Sequence, residues 1–261
     1  MRAVLVTAAA LAALGCSRQA AVVEDSMPVE VGSRVDMYTF NGDITVEWYQ
    51  GTEMDLSYQK TTWRGEGELD KVEVTVAEEG DATIIRAEKL QEGAQVGVDL
   101  DVRLPEGVSL GRVETSNGNV TVTGGTGDAI VDTSNGDIVF RGFAGTVRGD
   151  TSNGDIVVLG GTLRSADTSN GEIEAEIRSV QGSRTILDTS NGNIDVYVSP
   201  QLDVKVIMDT SNGSVSVSGL PVADVWIEDS EGTATLNAGT HELVLDTSNG
   251  DVRVYGLDDV E

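Results

Sequence analysis

The sequence predicts an all-β fold: a single-chain, parallel β-helix-like β-solenoid of about 18–21-residue coils with an N-terminal β-rich cap. Three observations predict it. The tetrapeptide Thr-Ser-Asn-Gly occurs seven times, with its Asn at 117, 135, 153, 170, 191, 212 and 249. Each copy is flanked by residues that alternate apolar and polar, the period of a strand. Equivalent residues of successive copies are chemically alike, as they must be where coils stack like on like about 4.8 Å apart.

The Asn steps are 18, 18, 17, 21, 21 and 37 residues, and the last splits into 19 and 18 if Asp229-Ser230-Glu231-Gly232 is a worn copy. Asn-Gly tolerates positive φ and so marks a corner. An antiparallel hairpin at each Asn-Gly is the competing architecture. It needs only its turn residues, whereas a solenoid also gives a use to the repeated Thr-Ser and lets stacked Asn side chains hydrogen-bond along the column.

Parity assigns the faces. Val120, Ile138, Ile156, Ile173, Ile194, Val215 and Val252 form one inward column directly after the corner. Val122, Phe140, Val158, Ala175, Val196, Val217 and Val254 form a second. A third precedes the corner: Val113, Val131, Gly149, Ala166, Leu187, Met208 and Leu245. Two acidic or polar columns face outward. One is Glu114, Asp132, Asp150, Asp167, Asp188, Asp209 and Asp246; the other is Asn119, Asp137, Asp155, Glu172, Asn193, Ser214 and Asp251. Two carboxylates one coil apart repel by about 0.9 kcal/mol in water and about 3.5 kcal/mol at an effective dielectric near 20. Such columns must be solvated, paired with bases such as Arg148 and Arg253, or neutralised by cations.

In chain order, residues 1–15 have the layout of a signal peptide, with Arg2 followed by an apolar run from Ala3 to Leu14 too short to span a bilayer. Ala13-Leu14-Gly15-Cys16 resembles the lipobox of prokaryotic lipoproteins, with Ala13 where Leu is commoner. That resemblance implies cleavage before Cys16, lipidation of its thiol and a membrane anchor; the alternative is an ordinary secretory signal. Cys16 is the only cysteine, so no disulfide forms within the chain. Residues 16–30 read as a polar tether. Residues 31–105 read as the β cap, with an early copy of the repeat at Phe40 to Val46 and with Trp48 and Trp63 expected in the cap core. Residues 106–256 carry the solenoid repeats without a break, about eight coils or about 40 Å of rod. Residues 257–261 form a short tail.

Net charge is −27, from 44 acids against 17 bases, which excludes nucleic acid as a partner because binding it needs a basic footprint. It favours a basic partner or divalent cations, and suits high-salt surroundings. No cofactor is expected; Ca²⁺ is the one ion the acid columns leave open, although the repeat lacks the Gly-Gly-x-Gly-x-Asp calcium pattern. No metal-ligand set is expected. His241, the only histidine, reads as a surface residue, so His-based triads have no support. No phosphate loop or zinc spacing is present. The acids are periodic, which a repeat alone produces, so no catalytic residues are assigned and the chain is expected not to be an enzyme.

Val98-Asp99-Leu100-Asp101-Val102-Arg103-Leu104-Pro105, followed by the repeated Thr-Ser-Asn-Gly-Asp-Ile, resembles the prokaryotic putative-adhesin domain of unknown function over residues 31–256. The resemblance implies a β-solenoid exposed at the cell envelope and supplies no catalytic residues. The expectation is a non-catalytic, lipid-anchored envelope scaffold, on the outer membrane or cell surface. Its partners would be the membrane through Cys16 and a cell-surface protein or polysaccharide. The alternatives are a carbohydrate-active β-helix enzyme, which would break the repeat with a cleft of non-repeating acids, and an envelope-stress or signalling accessory.

Overall fold

The computed structural model describes residues 8–11 and 18–257, so residues 1–7, 12–17 and 258–261, including Cys16, lie outside the described residues. The chain divides into two compact units, Met1–Thr133 and Ser134–Glu261.

The first unit contains β1 (Ala8–Leu11), β2 (Gln19–Pro28), β3 (Arg34–Tyr38), β4 (Ile44–Tyr49), β5 (Glu53–Thr62), a 3-10 turn (Glu66–Lys71), β6 (Val72–Glu79), β7 (Ala82–Lys89), β8 (Gly97–Pro105), β9 (Ser109–Glu114), β10 (Val120–Thr123) and β11 (Thr126–Asn135). The early repeat copy at Phe40–Val46 is a true coil. β3 lies parallel to β7 and β9, and β4 lies parallel to β8 and β10. Coil geometry therefore reaches back well before residue 106, and chain order is not stacking order. The coil β3–β4 lies between β7–β8 and β9–β10. Antiparallel strands complete the edges: β5 and then β2 beyond β8, and β6 beyond β7. This mixed pairing is the β-rich cap.

Trp48 and Trp63 part company here. The Trp48 indole N–H donates to the Val108 carbonyl at 2.9 Å, and its ring covers Gly125, where an added Cβ would lie 2.2 Å from it. Trp63 is 76% exposed, contrary to its expected place in the cap core, because it lies just beyond the end of β5.

The second unit contains β12 (Ile138–Arg141), β13 (Thr146–Asn153), β14 (Ile156–Leu159), β15 (Thr162–Asn170), β16 (Ile173–Ile177), β17 (Arg184–Asn191), β18 (Ile194–Val198), β19 (Val204–Asn212), β20 (Val215–Ser218), β21 (Asp224–Ile227), β22 (Glu231–Leu236), β23 (His241–Asn249) and β24 (Val252–Gly256). One face is the parallel series β12-β14-β16-β18-β24-β20; the other is β13-β15-β17-β23-β19, also parallel. The pairing is in register, Ile138 on Ile156 on Ile173 on Ile194 on Val252 on Val215. All six are buried, and fully buried Phe140 and Phe143 meet edge to face at 5.3 Å. A one-residue register slip would turn this set to solvent, so the apolar columns fix the pairing.

Three details depart from the sequence reading. The coil β23–β24 inserts between β17–β18 and β19–β20, so the repeats do not stack in the order they are written. Asp229-Ser230-Glu231-Gly232 is not a worn coil: β22 runs antiparallel to β19, and β21 antiparallel to β22. The two strands close the end of that sheet, with the Ser230 carbonyl accepting from Thr210 N–H at 2.9 Å. Val217, expected inside, is only half-buried, because among the described residues β20 is the last strand of its sheet.

Candidate functional site: the stacked columns and their corners

The repeated motif is first a joint. In the second unit each Asn side chain donates to the Asn Oδ1 of the neighbouring coil. The ladder runs from Asn212 to Asn249, Asn191, Asn170, Asn153 and Asn135, with every step 3.0 Å. Each Thr is buried, and its hydroxyl donates to the Gly carbonyl of the adjacent coil: Thr151 to Gly136, Thr168 to Gly154, Thr189 to Gly171, Thr247 to Gly192 and Thr210 to Gly250, at 2.8–3.1 Å. The Gly residues allow the coils to approach. A Cβ on Gly171 would lie 1.9 Å from the Gly154 carbonyl oxygen, and one on Gly154 would lie 2.0 Å from that of Gly136. The residue after Gly completes the joint. Asp137 Oδ1 accepts the Asp155 N–H, Asp155 Oδ1 that of Glu172, Asn193 Oδ1 that of Asp251, and Asp251 Oδ1 that of Ser214, at 2.8–2.9 Å. The second acidic column is thus a hydrogen-bonding column that happens to carry charge. The backbone amide of Ser214, its hydroxyl and then Arg253 hold Asp251 below the usual carboxylate range.

The first acidic column is different. Asp150, Asp167, Asp188, Asp246 and Asp209 stand in register across β13, β15, β17, β23 and β19, facing outward. Beside them runs a second exposed column, Ser152, Ser169, Ser190, Ser248 and Ser211. Burial first, and then Asp167 and Asp246 on either side, push Asp188 above the usual carboxylate range; burial and Asp209 do the same to Asp246. Arginine pairs with acids of both columns. In the first unit Arg112 binds Glu114 and, at 2.6 Å, Asp132. In the second Arg253 binds Asp251 at 2.6 Å and Asp195 at 3.4 Å. Among the described residues no group of three or more His, Cys, Asp or Glu side chains converges as a metal site.

His241, expected on the surface, is 2% exposed. It opens β23, which has a parallel strand on each side, and insertion of that coil is what buries it. Its Nδ1 lies 3.1 Å from the Gly182 carbonyl, and its Nε2 lies 3.0 Å from Thr185 Oγ1. Both contacts join its coil to the neighbouring one.

Sequence reading missed two surface features. Tyr197 and Tyr255 stack on adjacent coils, with ring centroids 5.2 Å apart. Each stands six residues after its corner Asn, Asn191 and Asn249, which was the available signal. The first unit also has an open groove of about 600 Å³ whose polar lining includes Asp25, Ser26, Asp55, Ser57, Asp101 and Arg103. Asp55 accepts from the Ser26 hydroxyl and lies 3.6 Å from Arg103, while Asp25 Oδ2 is buried without a hydrogen-bond partner. These acids come from β2, β5 and β8, which meet only through antiparallel pairing the repeat does not announce. Cys16 lies outside the described residues, so its lipidation has no geometry to report. Among the described residues no helix is long and apolar enough to cross a membrane.

Outward side-chain columns on in-register coils, joined at Thr-Asn-Gly corners, define a repetitive β-solenoid domain. Residues 41–255 match the family described as Toastrack DUF4097, and the chain belongs to that family of unknown function. Two solved structures resemble it distantly. One is a putative cell adhesion protein from Clostridium sporogenes, at 13% identity and TM-score 0.34, covering 90% of this chain and 99% of that one. The other is a putative adhesin from Bacteroides fragilis, at 12% identity and TM-score 0.45, covering 89% and 96%. No curated protein matches.

Proposed function

We propose that the protein is an exported, lipid-anchored scaffold that displays its outward columns to a cell-surface protein or polysaccharide, without catalysis. The observation that carries this reading is the Asp and Ser columns, repeated once per coil, which make a surface suited to a repetitive or extended ligand rather than to one small molecule. The lipobox resemblance at Cys16 supplies the anchor. The test has two readouts. In a bacterial host fed an alkyne fatty acid, the chain should take up label and pellet with membranes, whereas Cys16→Ala should be unlabelled and released. On glycan and surface-protein arrays, binding by the chain should fall when Asp167, Asp188 and Asp246 are changed to Asn together. Label-free wild type refutes the anchor, and unchanged binding refutes the columns.

A second reading has the groove in the first unit in its favour, since its acids do not repeat and one carboxylate oxygen is buried unpartnered. Turnover of a polysaccharide that is lost in Asp55→Asn or Asp101→Asn would make the protein a carbohydrate-active enzyme and displace the scaffold reading.

A further inference from the structure

The edge strand β21 is unlike the rest of the surface. Val225, Trp226 and Ile227 are consecutive and 48%, 46% and 42% exposed, whereas the other exposed large apolar side chains among the described residues stand singly. Among the described residues β21 pairs only with β22, through Asp224↔Thr235, Val225↔Ala234, Trp226↔Thr233 and Ile227↔Gly232. The Glu228 N–H bond to the Glu231 carbonyl, 2.9 Å, continues that register and sets its phase. Residues 224, 226 and 228 therefore direct their backbone groups at β22; consistently, the Trp226 carbonyl lies toward Gly232. Val225 and Ile227 direct their N–H and C=O groups away from β22, along the open edge.

Soluble proteins guard such edges with lysine, proline or a covering segment, because an apolar unpaired strand is a template for another chain. Here the flank is acidic. Asp224, Glu228, Asp229 and Glu231 surround the apolar triplet with no base between residues 224 and 231, and none of the four takes part in an ion pair among the described residues. A second copy docked edge to edge would bring eight of these carboxylates together, which like-charge repulsion opposes.

We propose that β21 is a docking edge that takes an extended segment of a partner protein by strand addition, the segment having a short alternating apolar run flanked by basic residues. Backbone groups of Val225 and Ile227 supply the hydrogen bonds, Val225, Trp226 and Ile227 the apolar contacts, and the four carboxylates the preference for basic flanks. This goes beyond the column-display reading and is independent of Cys16.

The probe is a fluorescein-labelled peptide alternating Val and Thr at its centre with two Lys at each end, titrated with the full chain by anisotropy. Saturable binding below about 1 mM is expected, weaker by at least about tenfold when the Lys are replaced by Glu. Val225→Pro removes an outward donor that β22 does not use, so binding should be lost while the unfolding midpoint stays nearly unchanged. If that variant does not fold, Trp226→Lys, which keeps the backbone pairing and adds a like charge to the probe's, should weaken the Lys peptide at least about tenfold. Three results each overturn the proposal: no binding of the Lys peptide, equal binding of the Lys and Glu peptides, or self-association in sedimentation that Trp226→Lys abolishes, which would make a second copy the occupant.

Discussion

Gly149→Ala and Gly171→Ala are the same chemical change in neighbouring coils, and the structure predicts opposite signs. A Cβ on Gly149 would meet Ile156 and Ile138 at 3.5–3.7 Å, ordinary contact, and the paired residue of the next coil is already Ala166. The strand backbone suits Ala, so loss of unfolded-state freedom should stabilise by about 0.4–1 kcal/mol. A Cβ on Gly171 would sit 1.9 Å from the Gly154 carbonyl oxygen, against 3.4 Å or more for an ordinary contact. The coils must separate locally by more than an ångström. Three hydrogen bonds across that seam then fail: Gly154 N–H to the Asn170 carbonyl, Thr168 hydroxyl to the Gly154 carbonyl, and Asn170 to Asn153, each 3.0 Å. At about 1 kcal/mol net apiece, the cost is about 2–4 kcal/mol. For a chain of this size that is a fall in Tm of roughly 5–15 °C, against a rise of about 1–4 °C for Gly149→Ala. Thermal unfolding followed by circular dichroism reads both. A Gly171→Ala protein as stable as wild type would refute the close-approach account of the corner.

Two further predictions concern the acid columns. Because Asp188 and Asp246 are raised in the fold, their charged forms are disfavoured there, and the stability they withhold at neutral pH returns as pH falls toward their folded values. Tm should therefore gain from these two groups as pH falls from neutral toward the ordinary Asp value of about 3.9, and the double variant Asp188→Asn/Asp246→Asn should remove that gain; Glu68 and Asp251, lowered by their hydrogen-bond partners, contribute with the opposite sign as pH falls. Millimolar Ca²⁺ and NaCl at matched ionic strength should raise Tm alike, with EDTA neutral, if the columns are only screened. A larger rise with Ca²⁺, reversed by EDTA, would show a specific calcium site.

Much of the coil was legible in the sequence because a solenoid forces the same environment on the same position of every turn. Parity alone placed Ile156, Ile173 and Ile194 inside and Asp167 and Asp188 outside. The order of coils was not legible for the same reason. Every corner offers the same Asn, Thr and Gly partners, so nothing in Asn249 says that it pairs with Asn191 on one side and Asn212 on the other. Asp229-Ser230-Glu231-Gly232 mimicked a corner by composition, yet its strand runs backward to close the sheet. His241 was misplaced because its burial depends on that coil order. The groove was invisible because antiparallel neighbours from distant segments assemble it, without any period.

The inserted coil has a consequence for how the chain is made. During vectorial synthesis residues 204–218 emerge before residues 241–256, yet in the finished stack the later segment lies between the earlier one and β17–β18. Until it arrives, either β19–β20 waits detached or it pairs provisionally with β17–β18, whose corners accept it just as well, and must then let go. Near-identical repeats thus provide a ready kinetic trap at this step, and release from it, rather than coil formation, should govern how fast the second unit matures.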